Sequence, residues 1–142
     1  MSCHRTAIFS LLLLSVTGVA FAAPMDDAKS HIEAVAAGNI ADITKDYSDN
    51  AHFEWVGGPL NGTYDGTDKI KEVWTKFTKA NNQLEARINN VEQSANPAGA
   101  TVTANVVFKG TATIKVRYVL TYRSGKLVNE IWQIDPKLES GY

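Results

Sequence analysis

The sequence predicts an α+β fold in which three short helices come first and a block of strands follows. The hydrophobic period changes along the chain: apolar residues recur at helical spacing in three segments before about residue 80, and beyond it they alternate with polar residues. Short turn sequences join the later segments, so consecutive strands are expected to pair as hairpins. Helices grouped before strands favour helices packed on a mostly antiparallel sheet rather than βαβ winding.

Two short helices are predicted first. Asp26 and Asp27 are expected to cap a helix that runs to Ala37 and stops at Gly38, and Asn39 is expected to cap the next one. The apolar stripes are Ile32, Val35 and Ala36 in the first helix and Ile40, Ile43 and Tyr47 in the second.

The third helix, opened by Gly66-Thr67, has the clearest helical period in the chain. Its apolar stripe, with spacing i, i+3, i+4 and i+7, consists of Ile70, Val73, Trp74 and Phe77. Lys76 is expected on its solvated side, and Asn81-Asn82 is expected to end it.

Strands are predicted before and after the third helix. Asp49-Asn50 is expected to form a turn, and residues 51–56 a strand with apolar residues on one face. Asn61-Gly62 is a tight-turn pair, so Leu60 and Tyr64 are expected to flank a small hairpin. The later strands are predicted at residues 84–91, 100–108, 111–123 and 126–134.

Residues 1–22 are predicted to be a cleavable secretory signal peptide. Arg5 supplies a positive charge, residues 7–16 form a short apolar run, and Ala20-Phe21-Ala22 is a small-residue cleavage site. The run is too short to span a membrane, and the alternative is a buried core helix. Cleavage after Ala22 would leave one domain, residues 23–142, in the periplasm or outside the cell.

Composition and motifs exclude several kinds of function. Loss of Arg5 would change the formal net charge from −1 to −2, which does not favour nucleic acid. Cys3 is the only cysteine and precedes the cleavage site, so no disulfide is expected. Zinc spacing, a phosphate loop, a dinucleotide fingerprint and a nucleophile elbow are absent. The sequence therefore predicts no metal, no cofactor, no nucleic-acid partner and no membrane span.

Several short segments occur in a characteristic order. They are residues 38–43, 47–51 and 53–54, then Gly66 with Ile70 and Trp74, then residues 123–127 and Asp135-Pro136. This order resembles the NTF2-like superfamily, which includes SnoaL-like proteins and ketosteroid isomerases. The resemblance implies a cone over residues 23–142: three N-terminal helices packed on a curved, mostly antiparallel sheet, with an apolar pocket at the open end.

The resemblance also implies that the pocket is lined by residues on the inner face of the cone. These ligand-binding candidates are Tyr47, Phe53, Trp55, Trp74, Tyr122, Trp132 and Ile134. Each could instead be an ordinary core residue, because aromatic side chains fill cores as well as sites.

Ketosteroid isomerases use a carboxylate base and two hydrogen-bond donors. The resemblance places the base position on Trp55, the helix tyrosine position on His31 and the late-strand acid position on Tyr118. An indole nitrogen only donates, so that reaction is not expected here. His31, with Tyr118 and Glu130, could support another proton transfer. Alternatively, His31 is a core residue, and Glu130 faces solvent through a one-residue slip of register.

Three hypotheses follow for function. The first is a binding domain for a small, mostly apolar organic molecule. The second is a cofactor-free lyase, isomerase or hydrolase that uses His31 for proton transfer. The third is a structural or assembly protein, in which side chains fill the pocket and the open face of the sheet pairs two subunits as a homodimer.

Overall fold

The computed structural model describes residues 23–139 as three helices and six strands. The helices are α1 (Pro24–Ala37), α2 (Ile40–Thr44) and α3 (Thr67–Ala80). The strands are β1 (Tyr47–Val56), β2 (Gly62–Asp65), β3 (Glu85–Asn96), β4 (Gly99–Lys109), β5 (Thr113–Arg123) and β6 (Lys126–Ile134). The predicted signal peptide, residues 1–22, lies outside the described residues.

The six strands form one sheet in the order β2-β1-β6-β5-β4-β3. β1 and β6 are parallel, and every other neighbouring pair is antiparallel. Register shifts interrupt three of these pairings, and such irregularities bend and twist strands. Helices α1 and α3 contact the sheet. The predicted fold class, helices on a curved, mostly antiparallel sheet, is confirmed.

Helix α1 begins earlier than the sequence predicts. Ala23 is its N-cap, and Pro24 occupies the first turn. Proline lacks a backbone N–H, but the N–H groups of the first turn have no partner within the helix, so no hydrogen bond is lost. Asp26 and Asp27 therefore lie in the first turn and are not caps, although their charge still favours the positive end of the helix dipole. Gly38 ends the helix as predicted, with a left-handed φ of 71° that suits glycine.

The first residues of β1 differ most from the prediction. Tyr47 is not on α2, which ends at Thr44, and Asp49-Asn50 is not a turn. Tyr47 instead opens β1, where it pairs with Leu127 of β6. The pairing of β1 with β6 shifts register between Tyr47 and His52. Asp49 and Asn50, which are typical turn residues, lie within this irregular part of the strand.

The β1–β2 connection is wider than predicted. Gly62 is already the first residue of β2, so the connection spans residues 57–61. The amide of Gly57 donates to the side chain of Asn61 at 2.8 Å and closes this loop. The Tyr64 hydroxyl donates to the carbonyl of Leu60 at 2.6 Å, so these two flanking residues are in contact as the hairpin prediction requires.

The later strands lie where the change of period predicts them. β3 continues past Val91 to Asn96 because it stays paired with β4 up to their turn. β5 begins at Thr113 instead of residue 111, since the amide of Gly110 bonds to the carbonyl of Ala112 in a turn. β6 has its predicted bounds. None of the described helices is long and apolar enough to cross a membrane.

The core lies between the inner face of the sheet and helices α1 and α3. The predicted stripe of α3 is buried throughout: Ile70, Val73, Trp74 and Phe77. The predicted alternation along β1 is also confirmed, because Phe53 and Trp55 are buried while His52 and Glu54 are not. Large aromatic side chains therefore fill the inside of the cone.

Candidate functional site

A buried glutamate is the centre of a polar cluster on the inner face of the sheet. Glu130 lies on β6 and is 0 % exposed. Its carboxylate accepts hydrogen bonds from the hydroxyl of Tyr47 at 2.5 Å and from the hydroxyl of Tyr118 at 2.8 Å. The Nε2 atom of His31 lies 2.6 Å from the same carboxylate. Glu130 thus points into the fold and not into solvent.

Several elements position this polar cluster. His31 comes from α1, Tyr47 from the start of β1, and Tyr118 from β5, the neighbour of β6. Trp74 of α3 extends the network, because its indole Nε1 donates to the Tyr47 hydroxyl at 2.8 Å. The structure brings together His31, Tyr118 and Glu130, the three residues predicted for proton transfer.

Burial and charge keep the tyrosine hydroxyls of the cluster protonated. Burial raises the pKa of Tyr47 and of Tyr118 well above the usual value, and the nearby Glu130 carboxylate raises both further. Both hydroxyls are therefore donors at neutral pH. An ionised carboxylate only accepts, so the contact of His31 Nε2 with ionised Glu130 requires a hydrogen on Nε2.

A layer of aromatic rings lies beside the polar cluster. The ring of Trp132 is 4.8 Å from that of Trp55, 5.5 Å from that of Trp74 and 5.4 Å from that of Tyr118, measured between centroids. Phe53 stacks on Trp74 at 5.2 Å. Trp132 and Trp74 are both 0 % exposed, so this layer is packed core. Within residues 23–139, Trp132 Nε1 is the buried side-chain polar atom without a hydrogen-bond partner.

A groove of about 520 Å³ opens at the end of the cone where β1 and β6 stop and β5 begins. This is within the range of small-molecule sites, roughly 300–1,000 Å³. We call it the mouth groove, and its main apolar residues are Trp55, Leu60, Phe77, Ile114 and Ile134. Trp55 and Phe77 form its inner wall, since both rings pack against the buried Trp132.

The predicted ligand-binding residues are divided between the groove and the core. Trp55 and Ile134 line the mouth groove. The core residues that do not line it are Tyr47, Phe53, Trp74 and Trp132. Tyr122 lines a separate cavity of about 290 Å³ beside the β3–β4 turn. None of the three residues predicted for proton transfer lines the mouth groove.

The sequence did not point to several residues of the groove. The helical stripe predicts Phe77 as core, the charge pattern predicts Lys76 as solvated, and Leu60, Ile114 and Lys115 carry no signal of a site. What unites them is position: Lys76 and Phe77 lie near the end of α3, and Ile114 and Lys115 near the start of β5. These ends meet only once the sheet order is known, so no local pattern could have found them.

The cluster and the groove differ in what they can do chemically. In the polar cluster, each oxygen of Glu130 is already bound by a donor of the chain itself. The groove offers apolar walls with a few polar groups, as a small-molecule site requires. Across residues 23–139, no three His, Cys, Asp or Glu side chains are arranged to hold a metal ion.

The outer face of the sheet carries a second histidine–carboxylate arrangement, which we call the outer triad: His52, Glu54 and Asp65. His52 Nδ1 lies 2.5 Å from an Asp65 oxygen and Nε2 lies 2.7 Å from a Glu54 oxygen. Both nitrogens face carboxylate oxygens, so both hydrogen bonds form only when the ring is protonated and positively charged. The hydrogen bond to Asp65, followed by that to Glu54, raises the pKa of His52.

Comparison with known proteins agrees with this architecture. Residues 28–130 match the family described as the SnoaL-like domain. An NTF2-like protein of unknown function from Pseudomonas putida KT2440 is similar in structure, with a TM-score of 0.67 and 15% identity over 80% of this chain and 85% of that one. Another, from Burkholderia xenovorans LB400, has a TM-score of 0.63 and 14% identity over 82% and 85%.

An NTF2-like protein from Cytophaga hutchinsonii ATCC 33406 is also similar, with a TM-score of 0.62 and 13% identity over 78% of this chain and 94% of that one. No protein of curated function matches the sequence. The resemblance to NTF2-like and SnoaL-like proteins is therefore confirmed, and identities this low show the fold alone. The homodimer stays a prediction.

Proposed function

This chain belongs to the SnoaL-like domain family, and we propose that it binds a small, mostly apolar organic molecule in the mouth groove. Membership of a fold family does not determine function, so the proposal depends on the site itself. The observation that carries it is the groove of about 520 Å³, whose walls are mainly apolar side chains at the open end of the cone. Burial of apolar ligand surface there would drive binding.

Binding is better supported than proton transfer by His31. His31 and Glu130 are 5 % and 0 % exposed, they bond to each other, and neither lines the groove. A general acid or base must come within hydrogen-bond reach of the proton that it transfers. A molecule in the mouth groove would meet Trp55 and Phe77 first, with Trp132 behind them.

The hypothesis of a filled pocket also receives some support, and it concerns a different part of the cone. Trp74, Trp132 and Tyr118 fill the interior and are each 0 % exposed. The groove at the mouth is still open beside them. We therefore place the ligand at the mouth of the cone and assign the filled interior a structural role.

We also propose that residues 1–22 direct export, so that the ligand is met in the periplasm or outside the cell. The support is the signal-peptide pattern that ends at Ala22. N-terminal sequencing of the protein from those fractions of its host is expected to begin at Ala23. A protein that begins at Met1 and stays with the cytoplasmic fraction would contradict export without affecting the binding proposal.

Binding can be tested with N-phenyl-1-naphthylamine, a neutral apolar dye that fluoresces when it leaves water. We expect the protein purified from its host to bind the dye saturably, and Ile114→Asn to weaken binding about tenfold by making the groove wall polar. Native mass spectrometry of the same preparation would show any molecule retained from the host.

Val91→Asn is the matched control, because Val91 is also half-buried and packs at the edge of the core but does not line the groove. Its dye affinity should equal that of the unchanged protein. Absence of dye binding, or equal loss in the two variants, would show that the mouth groove is not the site.

A further inference from the structure

The charged side chains that line the mouth groove are all lysines. Two lysines line it, Lys76 from α3 and Lys115 from β5, and no aspartate or glutamate does. Asp135 lies between two lining residues in the sequence, yet its carboxylate accepts from the amide of Lys137 instead. The groove is therefore an apolar cavity whose lining carries two positive side chains.

Both ammonium groups are available to a ligand. Lys115 Nζ donates to the carbonyl of Leu138 at 3.2 Å, so a neutral atom is its partner and its charge is not compensated there. Lys76 Nζ lies 3.3 Å from Glu72, but the two side chains are 61 % and 68 % exposed. Exposed pairs of this kind are weak and readily exchanged.

We propose that the natural ligand is an amphipathic anion, with an apolar body in the mouth groove and a carboxylate or similar group at Lys115 and Lys76. This inference rests on the proposed function and narrows its ligand class. Lysine binds anions through three donors and a full charge, and such charge-assisted hydrogen bonds are stronger than neutral ones. The half-buried position of Lys115 lowers the local dielectric and strengthens the contact further.

A matched pair of probes tests the charge separately from the apolar body. Decanoate and decan-1-ol have the same chain length, and displacement of N-phenyl-1-naphthylamine from the full protein measures the affinity of each. We expect decanoate to bind about tenfold more tightly at low salt, consistent with hydrogen bonds to charged groups. The preference should shrink when salt is raised, because salt screens the partly exposed lysines.

Lysine variants determine whether the two named residues cause the preference. Lys76→Met/Lys115→Met keeps the apolar stems and removes both charges, so decanoate and decan-1-ol should then bind equally. Lys79→Met is the control, since Lys79 is exposed on α3 and does not line the groove. It should keep the tenfold preference. Thermal unfolding of each variant would confirm that it is folded.

The outcomes separate this inference from the proposed function. Equal binding of both probes to the unchanged protein would overturn the anionic ligand class while leaving an apolar site. A preference that survives in Lys76→Met/Lys115→Met would overturn the role of these lysines. Failure of the dye itself to bind would contradict the proposed function, and the inference with it.

Discussion

The two faces of one sheet carry the same chemical pair in opposite surroundings. On the inner face, His31 and Glu130 are 5 % and 0 % exposed. On the outer face, the side chains of His52, Glu54 and Asp65 are 41 %, 37 % and 67 % exposed. The contact distances are similar, between 2.5 and 2.7 Å. The contact distances alone therefore do not distinguish the two arrangements.

Burial makes them physically different. If a partner is removed from the polar cluster, the remaining donors stay buried without an acceptor, and each unsatisfied buried group costs about 1–3 kcal/mol. If a partner is removed from the outer triad, water takes its place, and exposed ion pairs contribute only about 0.2–1 kcal/mol. The inner pair therefore contributes more to stability, whereas the outer pair mainly responds to pH.

The largest effect is expected from Glu130→Ala. This change removes the common acceptor of Tyr47, Tyr118 and His31, and it leaves a cavity as well. We expect the free energy of unfolding to fall by about 3–5 kcal/mol, as when one partner of a buried pair is removed. Urea unfolding followed by tryptophan fluorescence would measure it.

Glu92→Ala is the control for this change, because Glu92 is an exposed glutamate on β3. Its free energy of unfolding should stay within about 0.5 kcal/mol of the unchanged protein. A loss below about 1 kcal/mol for Glu130→Ala would show that the polar cluster does not stabilise the fold.

A smaller effect is expected from Tyr118→Phe, which removes one donor and leaves the ring. The free energy of unfolding should fall by about 1–1.5 kcal/mol, the usual contribution of one hydrogen bond. Tyr122→Phe is the matched control on the same face of β5. Burial and the charge of Glu130 raise the pKa of Tyr122 too, but without a hydrogen bond between them.

Tyr122→Phe should therefore change the free energy of unfolding by less than about 0.5 kcal/mol. Equal losses in the two phenylalanine variants would mean that burial of the hydroxyls, and not the bond to Glu130, determines the effect. Chemical denaturation of both proteins in one buffer would be sufficient to distinguish these results.

The sequence predicted most of the fold because its signals are local. The stripe of α3 and the alternation of β4 to β6 each depend on residues close in the chain. Tyr47 was placed wrongly for the opposite reason: its strand is held by parallel pairing with Leu127, which is distant in sequence. Local spacing alone fits Tyr47 equally well on a helix.

The candidate site was predictable only in part. The family resemblance placed His31 and Tyr118 at positions of the same pocket, and the alternation of residues along the last strand was compatible with Glu130 on that face. Neither shows that Trp74 and Trp132 close the space between this cluster and the mouth of the cone. The groove is formed by the ends of helices and strands, for example by Ile114 near the start of β5. The sheet order brings these ends together, so the groove could not be recognised from local sequence patterns.

The smallest effect is expected from His52→Gln in the outer triad. Because contacts with Asp65 and Glu54 raise the pKa of folded His52, the protonated ring stabilises the fold. That contribution is complete below the unfolded-state pKa, about 6.5, and is lost as the pH rises through the higher folded-state pKa. His52→Gln should therefore lower stability at pH 5.5 by about 0.5 kcal/mol or less, and by nothing at pH 9.

Titration of the His52 ring by NMR measures the same linkage directly. Its midpoint should lie above 6.5 and move down in Asp65→Asn, because the hydrogen bond to Asp65 is the largest cause of the rise. A midpoint at or below 6.5 would show that the contacts with Asp65 and Glu54 do not stabilise the protonated ring. The contrast with the buried pair would then depend on exposure alone.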